Sequence, residues 1–327
     1  MKIIRGSQNI KNKIKNPVLT LGNFDGVHLG HREIFRRVVE RAKEIDGTSI
    51  VYTFEPHPLR IVAPSRTPPL LTTFRKKMQL MEKSGIDIVV CADFTKRFAD
   101  QHPRDFARDT LSGKIGVKEV FVGYDYTFGK GREGTIDYLK KMGEEFGFKV
   151  TVIDALTING EIVSSTLLRD TIEDGKVEKA KGLLGRYYSI EGRVVDGFKK
   201  GSVIGFPTAN IDTSHDLIPH TGVYAVKTLV DGEIFNGVAN VGFNPTFHRD
   251  RLSVEVHIFN FSSDIYGREI EVFFVKRVRD EVEFGSADEL RIQIEKDVNG
   301  VKGILNSVGN EAVRHKLMRI DKWKKNI

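Results

Sequence analysis

The sequence predicts a Rossmann-like parallel α/β domain over residues 1–185, followed by an antiparallel β-barrel with a terminal helix over residues 186–327. Three observations carry this. Strand-like and helix-like runs alternate through the first half, the pattern of a parallel sheet with crossover helices. After about residue 186 the runs become strands separated by turns, with no long helical pattern between them, which fits a small barrel. The length of 327 residues is enough for two cores.

The first half is organised around residues 18–31, V-L-T-L-G-N-F-D-G-V-H-L-G-H. Residues 18–21 form a short apolar strand. Gly22, Asn23, Phe24, Asp25 and Gly26 then make a turn built largely of residues that tolerate tight or left-handed backbone. Beyond His31, apolar residues at Ile34, Phe35, Val38, Val39 and Ala42 fall at helical spacing. A strand feeding a glycine turn and a helix start is an anion site, because the free N–H groups and the helix dipole point the same way. His28 and His31 share one face of the first turn, and Gly30 between them leaves room for a ligand. A zinc site would need a third ligand, and no convincing one stands nearby.

Further strands are expected over 49–54, 86–91, 117–123 and 148–153, with a helix over 75–83. The turns after them hold polar and aromatic residues. Glu55-Pro56-His57-Pro58 is stiffened by two prolines and reads as a pocket wall or a plain rigid loop. Residues 123–134, G-Y-D-Y-T-F-G-K-G-R-E-G, combine glycines, aromatics able to stack on a flat ring, and two cations. None of these stretches fits the P-loop pattern. Residues 164–169, S-S-T-L-L-R, read as a capped helix start whose hydroxyls and N–H groups make a second anion cradle, with Arg169 one turn on. A short helix over 177–184 is closed by Gly185, and the domain boundary is placed there.

In the second half, strands are expected over 188–195, 223–230, 234–241, 252–259 and 270–275, with a hairpin turn at Asp231-Gly232. Residues 205–210, G-F-P-T-A-N, place Thr208 and Asn210 on one side of an extended segment. Both offer hard oxygens suited to Mg²⁺ held jointly with nucleotide phosphates. Lys199-Lys200-Gly201 just upstream is a basic loop able to cover those phosphates. In residues 251–259, Leu252, Val254, Val256 and Ile258 face one way, and Ser253, Glu255 and His257 the other. A capping box at Ser286 and Glu289 opens a helix to about Leu305.

The chain carries a net charge of +7, and its basic residues are dispersed rather than interleaved with aromatics, so phosphate binding fits better than an RNA platform. No run of eighteen apolar residues and no signal-peptide core occur, which predicts neither a membrane span nor export. The one cysteine, Cys91, lies in an apolar run, reads as packing, and suits a cytoplasmic protein.

The G-N-F-D-G-V-H-L-G-H turn resembles the signature of the nucleotidyltransferase superfamily in its flavin-adenylylating branch. With residues 123–134, the S-S-T-L-L-R start, G-F-P-T-A-N and the Glu255 strand, nearly the whole chain resembles the prokaryotic bifunctional riboflavin kinase/FMN adenylyltransferase family. The resemblance implies two activities: riboflavin phosphorylation by the second half, and adenylylation of FMN to FAD with release of pyrophosphate by the first. It implies ATP as co-substrate, Mg²⁺ as cofactor, and riboflavin, FMN and FAD as the other ligands. It assigns catalytic roles to His28 and His31, and ATP contacts to Gly22, Asn23, Phe24, Asp25, Gly30, Ser164, Ser165, Thr166 and Arg169 in the first half and to Lys199, Lys200, Gly201 and Gly205 in the second. It assigns flavin contacts to His57, Asp125, Phe128, Thr246 and Arg279, metal contacts to Thr208 and Asn210, and the role of general base to Glu255. Tyr126 stands where the family pattern has Phe, and Ser202 and Val203 separate the basic loop from its usual place. The expected assembly is a monomer or weak homo-oligomer without nucleic acid or membrane. The rival classes are an RNA-associated protein, since aminoacyl-tRNA synthetases use related H-x-G-H turns, and a flavin-storage module with inactive sites.

Overall fold

The protein was analysed as a computed structural model, which describes residues 1–196, 205–243 and 252–310. The chain divides into two compact units, Met1–Ser164 and Ser165–Ile327.

The first unit is built on a six-stranded sheet in the order β1-β4-β3-β2-β5-β6. Its strands are β1 (Lys2–Arg5), β2 (Pro17–Leu21), β3 (Thr48–Glu55), β4 (Ile88–Asp93), β5 (Glu119–Gly123) and β6 (Lys149–Ile153), and every pairing is parallel. Helices α1 (Leu29–Glu44), α2 (Pro58–Val62), α3 (Phe74–Lys83), α4 (Lys96–Ala99), α5 (Pro103–Asp105) and α6 (Ile136–Phe146) connect them, with a π-helical stretch at Phe106–Ile115. The strands between the edges are near-continuous apolar runs because each is covered on both faces. One apolar cluster joins Leu19, Tyr52, Phe106, Leu111 and Leu139; the other joins Val18, Phe35, Val38, Met78 and Met81. Cys91 is buried, and burial pushes its thiol up to about 11, so it stays protonated and packs as an apolar group.

Sheet order decides where a ligand can sit. From β2 the chain runs outward through β3 and β4 on one side, then returns through β5 and β6 on the other. The order therefore reverses between β2 and β5, and crevices in such sheets open beyond the strand ends at that point. The turn at Gly22 leaves β2 there. Before the unit ends, Thr157–Ile158 (β7) and Glu161–Ile162 (β8) form a small hairpin.

The second unit starts with α7 (Ser165–Glu173) and α8 (Val177–Leu184), the latter closed by Gly185 at φ 64° as expected of a helix end. Six antiparallel strands follow: β9 (Tyr188–Val195), β10 (Ala209–Thr213), β11 (Gly222–Val230), β12 (Glu233–Phe243), β13 (Leu252–Ile258) and β14 (Glu269–Arg279). They close as a barrel in the order β10-β13-β12-β11-β14-β9, leaving no free edge. α9 (Ala287–Asn306) lays Val298, Val301 and Leu305 over Ala225, Leu229 and Phe273. Its cap differs in detail from the expected box: Ser286 Oγ accepts from Glu289 N–H as foreseen, but the Glu289 carboxylate accepts from Gly285 N–H.

The contact division and the expected boundary at 185 differ by α7 and α8. By contacts the two helices go with the barrel. α8 packs on β14 and β9, and Ile172 at the end of α7 accepts from His220 N–H at 3.4 Å.

An ion pair ties α9 to the barrel. Arg279 donates through Nε and Nη2 to Asp297 at 2.7–3.1 Å, and Gln293 adds 2.9 Å to the same carboxylate. Asp297 is buried, so truncating its partner strands a charge. Arg279→Met should therefore cost the barrel unit about 3 kcal/mol, read as a fall of several degrees in its thermal midpoint.

Candidate active sites

The turn between β2 and α1 is held in a strained shape. Phe24, Gly26 and Val27 take φ values of 52°, 81° and 40°, a left-handed run costly for two non-glycine residues. Two side chains offset that cost. Phe24 is buried against Phe35, at a ring separation of 4.9 Å, and meets His31 edge-on at 5.2 Å. Asp25 is buried and accepts from the N–H groups of Leu71 and Thr72 and the Thr72 hydroxyl at 3.1–3.3 Å.

His28 is the N-cap of α1. Its Nδ1 accepts from His31 N–H at 3.2 Å, so the neutral ring carries its proton on Nε2. The two imidazoles stack with centroids 3.5 Å apart and ring planes 20° from parallel. This places both rings at the positive end of the helix, as the spacing required. Gly30 keeps the space beside the His28 ring clear. A Cβ there would stand 3.2 Å from the His28 ring and 3.6 Å from the Val163 carbonyl oxygen. The residue before Ser164 thus passes beside the H-x-G-H turn within the first unit.

Asn23 and His57 meet: Asn23 Nδ2 lies 3.4 Å from His57 Nε2. His57 also caps α2, Nδ1 accepting from Leu59 N–H at 3.3 Å, so the E-P-H-P loop stands against the G-N-F-D-G turn. The 123–134 segment closes on itself through paired main-chain bonds between Phe128 and Gly134 at 2.9 and 3.0 Å. Phe128 is buried in the core, stacked on Tyr126 at 5.8 Å, while Asp125 is exposed.

Ser164 precedes the first residue of α7, as its reading as a cap requires. Ser165 and Arg169 are one turn apart on α7 and both half-buried, and Thr166 is exposed.

On the barrel, register builds a row. Asn210 of β10 pairs with Glu255 of β13, and Glu255 with Asn240 of β12. Cross-strand partners share a face with Cβ atoms about 5 Å apart, so the side chains of Asn210 and Glu255 leave the sheet side by side. Thr208, two residues before Asn210 in the extended approach to β10, continues the row. Val254 and Val256 turn the other way and are buried. Asn240 Nδ2 in turn donates to Glu281 at 3.4 Å, which extends the row beyond β14. Asn240 escaped sequence reasoning because only strand register brings it beside Glu255, and Glu281 because only the fold brings it against Asn240. His257 Nδ1 lies 2.8 Å from the Pro207 carbonyl oxygen and pins G-F-P-T to β13. Gly205 is exposed with φ 89°. Arg279, expected at the flavin, donates to the Asp297 carboxylate and, through Nη1, to the Asp280 carbonyl at 2.8 Å. Lys199, Lys200, Gly201 and Thr246 lie outside the described residues.

The donor set fits Mg²⁺ rather than a metal that wants an all-protein cage. It offers a hydroxyl from Thr208, an amide from Asn210 and one carboxylate from Glu255. Mg²⁺ keeps waters and shares phosphate oxygens, so few protein ligands suffice.

An N–H-rich helix start at a sheet switch point handles phosphate, and a single carboxylate beside neutral oxygens serves phosphoryl transfer to a hydroxyl. With one of each, the chain is a two-site phosphate-transfer enzyme. Comparison with known families agrees half by half: the FAD synthetase family profile matches residues 10–167, and the riboflavin kinase profile matches residues 184–305. The chain belongs to the family of bifunctional riboflavin kinase/FMN adenylyltransferases. The bifunctional riboflavin kinase/FMN adenylyltransferase of Haemophilus influenzae is 40% identical over 94% of this chain and 100% of its own length. That of Escherichia coli is 41% identical over 91% of this chain and 96% of its own. A crystal structure from Streptococcus pneumoniae, described as a macrolide-efflux protein, is 30% identical with a TM-score of 0.83, covering 92% of this chain and 99% of that one. No helix among the described residues of this chain is long and apolar enough to cross a membrane.

Proposed function

We propose that the two sites act in series, the barrel making FMN from riboflavin and the α/β unit converting FMN to FAD, each with its own ATP. In the barrel, Glu255 accepts the proton of the ribityl 5′-hydroxyl as that oxygen attacks the γ-phosphorus; ADP leaves. Thr208 and Asn210 would hold Mg²⁺, which when bound neutralises charge on the phosphates. Lys199, Lys200, Gly201 and Gly205 belong to the segment covering them, and Thr246 to the flavin side. The observation that carries this half is the register setting Glu255 opposite Asn210.

In the α/β unit an oxygen of the FMN phosphate attacks the α-phosphorus of ATP, and the bond to pyrophosphate breaks. His28 and His31 donate to the shifting negative charge, Gly22, Asn23 and Gly30 bring main chain close, and Ser164, Ser165, Thr166 and Arg169 hold the departing pyrophosphate. This site works by positioning and charge stabilisation rather than proton transfer. His57, Asp125 and Phe128 belong to its flavin side. The boundary between the activities lies near residue 185, with cytoplasmic residence and a monomeric or weakly associated state.

Purified protein incubated with riboflavin, ATP and Mg²⁺ should yield FMN first and FAD later by chromatography. Absence of both products would refute the reading. A flavin-storage module would retain unchanged riboflavin. An RNA-associated protein would instead show steeply salt-dependent RNA affinity.

A further inference from the structure

Lys77 of α3 is buried directly behind the nucleotide turn. Its ammonium lies 3.4 Å from the main-chain oxygen of Asn23 and 3.5 Å from Thr53 Oγ1, and Thr53 Oγ1 donates to the same Asn23 oxygen at 3.3 Å. Those two contacts among the described residues are neutral oxygens, both long, and an ammonium has three protons to place. Burying a charge without an ion-pair partner is expensive, and methionine would fill the same space without that cost. Burial lowers the Lys77 pKa from its ordinary value, against the weaker pull of Glu55 and Asp25. A polyanion arriving on the far side of the Asn23 peptide reverses that balance, because a nearby negative charge favours the ammonium.

We infer that Lys77 is a positioning residue for adenylyl transfer: it fixes the Asn23 peptide and supplies a buried positive charge behind the turn that grips the ATP phosphates. Asp25 braces the same turn from the segment just before α3, through Leu71 and Thr72, so α3 and its approach hold the turn at two points. The inference rests on assigning residues 22–31 to ATP.

The test is Lys77→Met, with Lys77→Gln as the second variant and Lys77→Arg as the charge-keeping control, each assayed for both half-reactions. Loss of a charge-assisted contact should raise the ATP KM of FAD formation about tenfold or more, leave riboflavin phosphorylation unchanged, and be largely reversed in Lys77→Arg. A wild-type ATP KM in either soluble neutral variant overturns the inference. So does an equal loss in Lys77→Arg, which would mark a purely steric role. The double variant His28→Ala/His31→Ala, run in parallel, separates the two failures: if it makes FAD normally, the assignment of the turn is what fails.

Discussion

Glu255→Gln should abolish FMN formation from riboflavin while FMN-to-FAD conversion continues at the wild-type rate. Glutamine keeps the length and much of the hydrogen bonding of glutamate but cannot accept a proton. A general base contributes about 10²–10⁴ in rate, so kcat for the kinase step should fall by that factor with a small change in KM. Glu255 is half-buried and stands in register between Asn210 and Asn240. The measurement is kcat for each half-reaction on one preparation. Equal loss of both activities would refute the division of labour.

His28→Ala with His31→Ala should do the reverse. Each imidazole removed takes away a donor aimed at transition-state charge, and one such donor is worth about 10²–10³ in kcat. FAD formation should therefore fall at least that far while riboflavin phosphorylation persists. A local cost comes with it: His28 caps α1 through His31 N–H, and losing a cap costs about 1 kcal/mol. The kinase rate, carried by the other unit, does not share that cost. Normal FAD formation would reject the anion-turn argument.

Much of this was legible in the residues. Residues 18–31 announce a strand, a turn and a helix start by composition and period, and the structure adds that His28 caps the helix by accepting from the main-chain N–H of His31. The parallel sheet and the barrel follow from alternation and from its loss after residue 186. What stayed hidden depends on contacts distant in sequence. β1 is four residues long with a lysine and an arginine at its ends, and only pairing with β4 makes it a strand. The residues of β10 read in sequence only as an extended segment; closure against β9 and β13 makes it the seam of the barrel. The structural contacts of Phe24, Asp25 and Arg279 were hidden for the same reason: their side chains pack into the core, hold Leu71 and Thr72, and clamp α9. Lys77 gave no signal, since a lysine on an amphipathic helix reads as surface until Asn23 and Thr53 are brought against it.

Mixing the two variants tests serial use of separate sites most directly. Glu255→Gln alone, and His28→Ala/His31→Ala alone, should each fail to carry riboflavin through to FAD with ATP and Mg²⁺. Together they should produce it, as FMN released by one is consumed by the other. A mixture that makes no FAD, from variants each shown to complete its own half-reaction, would contradict transfer through a common FMN intermediate.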